Sequence, residues 1–209
     1  MARVGLLGGT FNPPHLGHLL CAQEALLGLG LDRVLLVPAA TPPHKAVEAE
    51  PGVGHRIAMC ELAVSEDDRL GVSRVDADRA GPAYTVELLR ILLAAAPGDE
   101  LTFIVGGDMA AALPVWREPE AILALARLGV AERDGVRRAD VVARLAHLAG
   151  VPERLAFFDM PRVDVSSSLL RRRAAAGLPL RYLTPDPVAA YVAREGLYRG
   201  VPLSLDSSA

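Results

Sequence analysis

Five short apolar runs punctuate the chain: Val4 to Leu7, Val34 to Val37, Leu101 to Val105, Leu128 to Ala131 and Leu155 to Phe158. Each is rich in branched or aromatic residues and has the length of a strand buried on both faces. Between them apolar positions recur every three or four residues over Leu16 to Leu29, His55 to Val64, Thr85 to Ala95, Ala139 to Ala149 and Ser167 to Ala176, the spacing of one helix face. The alternation predicts an α/β fold, an open and mostly parallel sheet with helices on both faces, followed by a small C-terminal helical part. Residues 1–203 read as a single domain, and residues 204–209 as a disordered tail. Ligands of such folds bind beyond the carboxyl ends of the strands, so the strand-to-helix loops are where chemistry is expected.

Composition narrows the class. With 209 residues, 51% hydrophobic and 22% charged, the chain is long enough for a real core and too apolar for disorder. A net charge of -3 argues against a protein that coats nucleic acid or an anionic membrane. The uncharged stretch from Gly5 to Gln23 contains Pro13, Pro14, His15 and His18, which cannot continue a spanning helix. Cys21 and Cys60 lack any pairing or zinc spacing, and a reducing cytoplasm is expected. All basic residues except Lys45 are arginines, and Asn12, Gln23 and Trp116 are each alone of their kind. Exceptions to such a bias are candidates for local chemical need.

The first strand runs into Gly8-Gly9-Thr10-Phe11-Asn12-Pro13-Pro14-His15-Leu16-Gly17-His18. Two glycines let an oxyanion approach peptide N–H groups, and a helix N-terminus adds a favourable dipole, so the loop reads as a phosphate cradle. It is neither GxGxxG nor GxxxxGK[ST]. His15 and His18, three apart at a helix start, place two imidazole donors side by side. An alternative is that each histidine caps a turn or packs on the core.

Three later segments carry chemistry. Pro42-Pro43-His44-Lys45 is a stiff loop ending in a flexible point charge suited to phosphate, or a solvated lysine. Gly106-Gly107-Asp108 emerges from a strand end, where a carboxylate can accept ribose hydroxyls or cap the next helix, and Trp116 follows as a ring for a flat heterocycle or for the core. Ser166-Ser167-Ser168 with Arg171 one turn on forms a second polyphosphate site at a helix start.

Taken together, these residues resemble the bacterial nicotinate-nucleotide adenylyltransferases of the HxGH nucleotidylyltransferase superfamily. The first loop is similar to the GG(S/T)F(D/N)PxHxGH motif. Val37-Pro38 with Pro43-His44-Lys45, Arg79 to Thr85, Phe103 to Trp116, and Ser166 to Arg171 follow in the family's order. Departures are Pro14 for a usual Ile, Ala83 for Ser, Ser168 for Thr and Arg117 for a frequent aromatic. The segment 131–135 departs from a usual Ala-Arg-Pro, which leaves the place of Arg133 open. The resemblance implies a Rossmann-like nucleotidylyltransferase fold and transfer of the adenylyl group of ATP to nicotinate mononucleotide, releasing pyrophosphate. It implies His15, His18 and Arg171 as catalytic, and Gly8, Gly9, Thr10, Phe11, Gly106, Asp108, Ser167 and Ser168 at ATP. Lys45, Tyr84, Thr85 and Trp116 fall at the mononucleotide. Mg2+ would be carried on the ATP phosphates and not by protein side chains. The expected partners are the two substrates, without nucleic acid or membrane, in a monomer or homo-oligomer. Alternatives are nicotinamide mononucleotide or another phosphorylated acceptor, and a non-catalytic nucleotide sensor.

Overall fold

The computed structural model describes residues 1–40, 49–79, 84–132, 137–148 and 151–199. In chain order its elements are β1 (Arg3–Gly9), α1 (Leu16–Gly28), β2 (Arg33–Pro38), α2 (Val53–Val64), β3 (Leu70–Val72), α3 (Thr85–Ala95), β4 (Glu100–Gly106), α4 (Gly107–Ala111), α5 (Pro119–Leu125), β5 (Ala126–Glu132), α6 (Arg138–Leu145), α7 (Val151–Arg154), β6 (Leu155–Asp159), α8 (Ser167–Ala175) and α9 (Asp186–Arg194). All five expected strands are present. The short edge strand β3, the turns of α4 and α5, and α7 have no counterpart in the sequence reading. The helix expected over Ala139 to Ala149 starts at Arg138 and ends at Leu145.

The described strands form one sheet in the order β3-β2-β1-β4-β5-β6, and every ladder is parallel. The chain builds outward from β1 to β3, then returns to the other side of β1 and builds outward again through β4 to β6. The connections after β1 and β4 therefore diverge, and a crevice opens between their carboxyl ends. Register puts Val4 beside Leu101 and Leu7 beside Ile104. Side chains alternate across the sheet as strand geometry requires. Val4, Leu6, Phe103 and Leu128 pack with Leu89 of α3, Leu123 of α5 and Leu145 of α6. Leu7, Val34, Leu36 and Ile104 pack on the opposite face with Ala22 and Leu26 of α1 and Val64 of α2. A third cluster joins Met59 of α2 to Leu170 of α8, Val188 and Val192 of α9, and Tyr198. This is the expected C-terminal helical part, and α2 anchors it to the domain.

Close packing of Leu31, which follows α1, against the sheet depends on a glycine in β1. A Cβ on Gly5 would lie 2.7 Å from Leu31 Cδ1 and 2.9 Å from side-chain carbons of Ile104 and Val34. A branched side chain there must displace three core residues together, which overpacks the interior. Gly5→Val is expected to lower the free energy of unfolding by about 1–3 kcal/mol, read as a lower urea midpoint. An unchanged midpoint would show that Leu31 moves aside freely.

Candidate active site

The loop from β1 to α1 has no sheet or helix partner for its carbonyls, and two of its residues are prolines without an N–H. The rest of the chain supplies the missing donors. Gly9 O accepts from Ala39 N–H at 3.0 Å. Thr10 O accepts from Arg56 Nη1 at 2.9 Å, and Asn12 O from Arg171 Nη1 at 2.9 Å. Pro13 O accepts from Ser167 Oγ and Pro14 O from Thr184 Oγ1, both at 2.8 Å. Asn12 is itself buried. Its Oδ1 accepts from Tyr198 Oη at 2.7 Å, and its Nδ2 donates to Ala49 O at 3.5 Å.

Gly8 and Gly9 end β1. Neither has a positive φ; the left-handed residue of the turn is Phe11, at φ 50°. A Cβ on Gly9 would sit 3.0 Å from the Phe11 ring, and one on Gly8 would sit 3.2 Å from Phe103. The glycines thus make room for two aromatic rings at the strand end. Phe11 in turn sets its edge against the His18 ring, with centroids 4.9 Å apart.

His15 caps α1 from an extended backbone, and His18 is the third residue of the helix. Their rings lie 3.8 Å apart at 33°, and a side chain on Gly17 would meet the His15 ring at 3.1 Å. The backbone N–H of His15 donates to His18 Nδ1 at 3.2 Å. That bond makes His18 Nδ1 the acceptor, so the neutral ring carries its proton on Nε2. Burial pushes the His15 pKa down to about 4; burial first, and then the neighbouring His15 charge, pushes His18 down to about 3. Both rings are neutral at pH 7. A neutral imidazole keeps one N–H and can still donate a hydrogen bond. His15 Nδ1 is buried without a hydrogen-bond partner among the described residues.

The three serines of α8 divide three tasks. Ser166 Oγ caps the helix by accepting from Leu169 N–H at 3.2 Å. Ser167 ties Pro13, and Ser168 Oγ accepts from Arg171 Nη2 at 3.1 Å. Arg171 is buried, so the guanidinium sits behind the loop and is fixed at both ends. Gly106 is the extended N-cap residue of α4, and Asp108 is exposed in its first turn. Across the crevice, Tyr84 precedes α3, whose first residue is Thr85. Trp116 follows a 3-10 turn over Leu113–Val115 and meets Phe103 edge-on, centroids 6.0 Å apart at 84°. Tyr84 and Trp116 are half-buried on the same side of the sheet. Arg117 lies over the Tyr84 ring at 4.6 Å and pairs with Glu87 at 3.2 Å, a cation stacked on an aromatic face. Lys45, Arg133 and the tail 204–209 lie outside the described residues.

The sequence reading missed Arg56, Thr184 and Tyr198. Each sits in an apolar helical stretch or at a turn, and its partner is a loop carbonyl or amide more than 40 residues away. Local pattern carries no trace of such a contact. Among the described residues no group of three or more His, Cys, Asp or Glu side chains is placed to hold a metal ion, and no helix is long and apolar enough to cross a membrane.

Comparison with known proteins shows the family and the fold. Residues 6–173 match the family model described as cytidylyltransferase-like. A probable nicotinate-nucleotide adenylyltransferase of Roseiflexus sp. (strain RS-1) is 44% identical over 198 residues, covering 95% of this chain and 98% of its own. The nicotinate-nucleotide adenylyltransferase of Bacillus subtilis (strain 168) is 37% identical, with coverage of 95% and 99%. A solved structure of the Plasmodium falciparum nicotinic acid mononucleotide adenylyltransferase complexed with NaAD superposes with a TM-score of 0.75 at 14% identity, covering 99% of this chain and all of that one. At that identity the likeness shows the fold.

The depressed imidazoles make stability depend on pH. An unfolded-state histidine takes up its proton near pH 6.5, whereas His15 does so near pH 4 and His18 near pH 3 in the folded protein. Between these values the unfolded state binds more protons, so stability falls as pH drops below about 6.5 and gains nothing above it. Urea midpoints from pH 7.5 to 5 should fall accordingly. His18→Asn should remove part of that slope, at most about 1.4 kcal/mol per pH unit. An equal slope in the variant would refute the assignment.

Proposed function

Because this chain belongs to the cytidylyltransferase-like family and within it to the nicotinate-nucleotide adenylyltransferases, we propose that it transfers the adenylyl group of ATP to nicotinate mononucleotide, giving nicotinate adenine dinucleotide and pyrophosphate in NAD biosynthesis. The observation that carries the reading is the pair of neutral imidazoles at the start of α1, on a loop whose carbonyls are tied elsewhere, at the crevice between β1 and β4.

A phosphate oxygen of the mononucleotide attacks the α-phosphorus of ATP, the new P–O bond forms, and the bond to the departing pyrophosphate breaks on the opposite side. The nucleophile, with a second phosphate pKa near about 6, is already mostly ionised at neutral pH and needs no general base. Positioning and charge stabilisation therefore supply the rate. His18 donates from Nε2 to the α-phosphate as negative charge grows there, and His15 holds the adjoining phosphate. Ser167, Ser168 and Arg171 face the β- and γ-phosphates; with five N–H donors a guanidinium can serve loop and phosphate together. Gly8, Gly9, Thr10 and Phe11 shape the cradle, and Gly106 and Asp108 receive the nucleoside. Tyr84, Thr85 and Trp116 flank the nicotinate ring, and Lys45 meets the mononucleotide phosphate. Mg2+ belongs with the ATP phosphates, where it offsets their charge.

His18→Ala should lower kcat by about 100- to 1,000-fold with little change in the Michaelis constant for ATP, since its bond strengthens only as charge develops. Equal losses in both, in a steady-state pyrophosphate-release assay, would exclude a transition-state role. Offered nicotinate and nicotinamide mononucleotides in parallel, the enzyme should prefer nicotinate. Release with neither would sink the transferase reading in favour of a nucleotide sensor. Lys45→Arg should raise the Michaelis constant for the mononucleotide more than that for ATP, because a planar fork does not replace a compact ammonium.

A further inference from the structure

Arg56 is the largest fully buried side chain among the described residues, 1% exposed. A guanidinium so far from water must satisfy its donors inside the protein, or its burial is prohibitively unfavourable. Its three nitrogens do so on three separate segments. Nη1 donates to Thr10 O at 2.9 Å, Nη2 to Ala40 O at 3.1 Å, and Nε to Glu50 Oε1 at 2.8 Å. Thr10 belongs to the loop that ends β1, and Ala40 follows the end of β2. Glu50, only partly exposed at 33%, also accepts from Gly52 N–H at 3.1 Å, at the N-cap of the helix that carries Arg56. One side chain thus fixes the ends of two adjacent parallel strands to each other.

We propose that Arg56 is a positioning residue for both substrates: it sets the ATP loop, through Thr10, against the strand end that leads toward the mononucleotide side, through Ala40. It touches neither substrate. The proposal rests on the reading above, which gives ATP to the first loop and the mononucleotide phosphate to Lys45, five residues after Ala40 in sequence. One feature favours it over a purely structural role. Two of its three acceptors are main-chain carbonyls at strand ends, beyond the last ladder pair of Gly9 with Pro38, where the sheet itself no longer holds the chains in register.

The test compares Arg56→Met, Arg56→Lys and Glu50→Gln by calorimetric binding of ATP and of nicotinate mononucleotide, by steady-state kinetics and by thermal unfolding. Arg56→Met should weaken both ligands by about tenfold or more, the scale of one lost charge-assisted hydrogen bond at each site. Arg56→Lys, which keeps the charge but cannot reach three acceptors, should fall between Met and the parent. Glu50→Gln, which leaves the guanidinium and an oxygen acceptor in place, should change both affinities less than Arg56→Lys does. Unchanged affinities for both ligands in Arg56→Lys would overturn the proposal, even with a lowered Tm. Loss confined to one ligand would overturn the claim that both sites are set. Because binding is read apart from turnover, a parent protein that binds both ligands without making dinucleotide would contradict the transferase reading and leave the Arg56 result standing. Should Arg56→Met fail to fold, the Lys variant and Glu50→Gln decide the matter by the same measurements.

Discussion

The loop between β1 and α1 holds its shape because distant parts of the chain take its carbonyls almost one after another. Ala39 N–H serves Gly9, Arg56 serves Thr10, Arg171 serves Asn12, Ser167 serves Pro13 and Thr184 serves Pro14. A loop with this turn cannot satisfy those acceptors by itself, and leaving them buried and unpaired would cost about 1–3 kcal/mol each. The cradle can therefore form only when the sheet, α2 and the C-terminal helical part are all in place. The C-terminal part is thereby integral to the site. Its apolar cluster keeps Leu170 and Val188 against Met59, and that packing delivers Arg171 and Thr184 to the loop.

A second consequence is electrostatic. The two rings are crowded together and neutral at pH 7. Of the two buried guanidiniums behind the loop, Arg56 is balanced by the Glu50 carboxylate at 2.8 Å, and Arg171 is held by Asn12 O and Ser168 Oγ. Donors already oriented before a polyanion arrives need no reorganisation as charge develops. His18 gains the same advantage from the His15 N–H, which fixes its tautomer in advance.

What was legible in the sequence follows from range. The central strands show as apolar runs because both faces are buried, and the long helices show as periodic stripes because one face is. β3 escaped notice because three edge residues, Leu70–Val72, carry no run and are only half-buried. α4 and α5 are too short, five and seven residues, for periodicity to register. Site residues with a local signature, such as the Gly-Gly turn, the His pair and the serine cluster, stood out. Their roles did not, because Ser167 and Arg171 bond to residues more than 150 positions away. Arg56 was invisible on both counts: it lies in an apolar helical stretch, and two of its three acceptors are backbone carbonyls that a residue of any identity could supply.

The composition bias is informative only where the structure gives a residue a task its substitutes cannot do. Asn12 accepts from Tyr198 through Oδ1 and donates toward Ala49 through Nδ2. An aspartate, which the motif also admits, would keep the first bond and lose the second; a serine is too short to span both. The carboxamide carries its donor and its acceptor on two separate atoms, which a hydroxyl does not. Gln23, equally alone of its kind, is exposed and bonds only to its neighbour Glu24 at 3.4 Å, a contact many residues could make. Rarity thus flags a position for inspection, and the bonding demands at that position decide whether the rare residue matters.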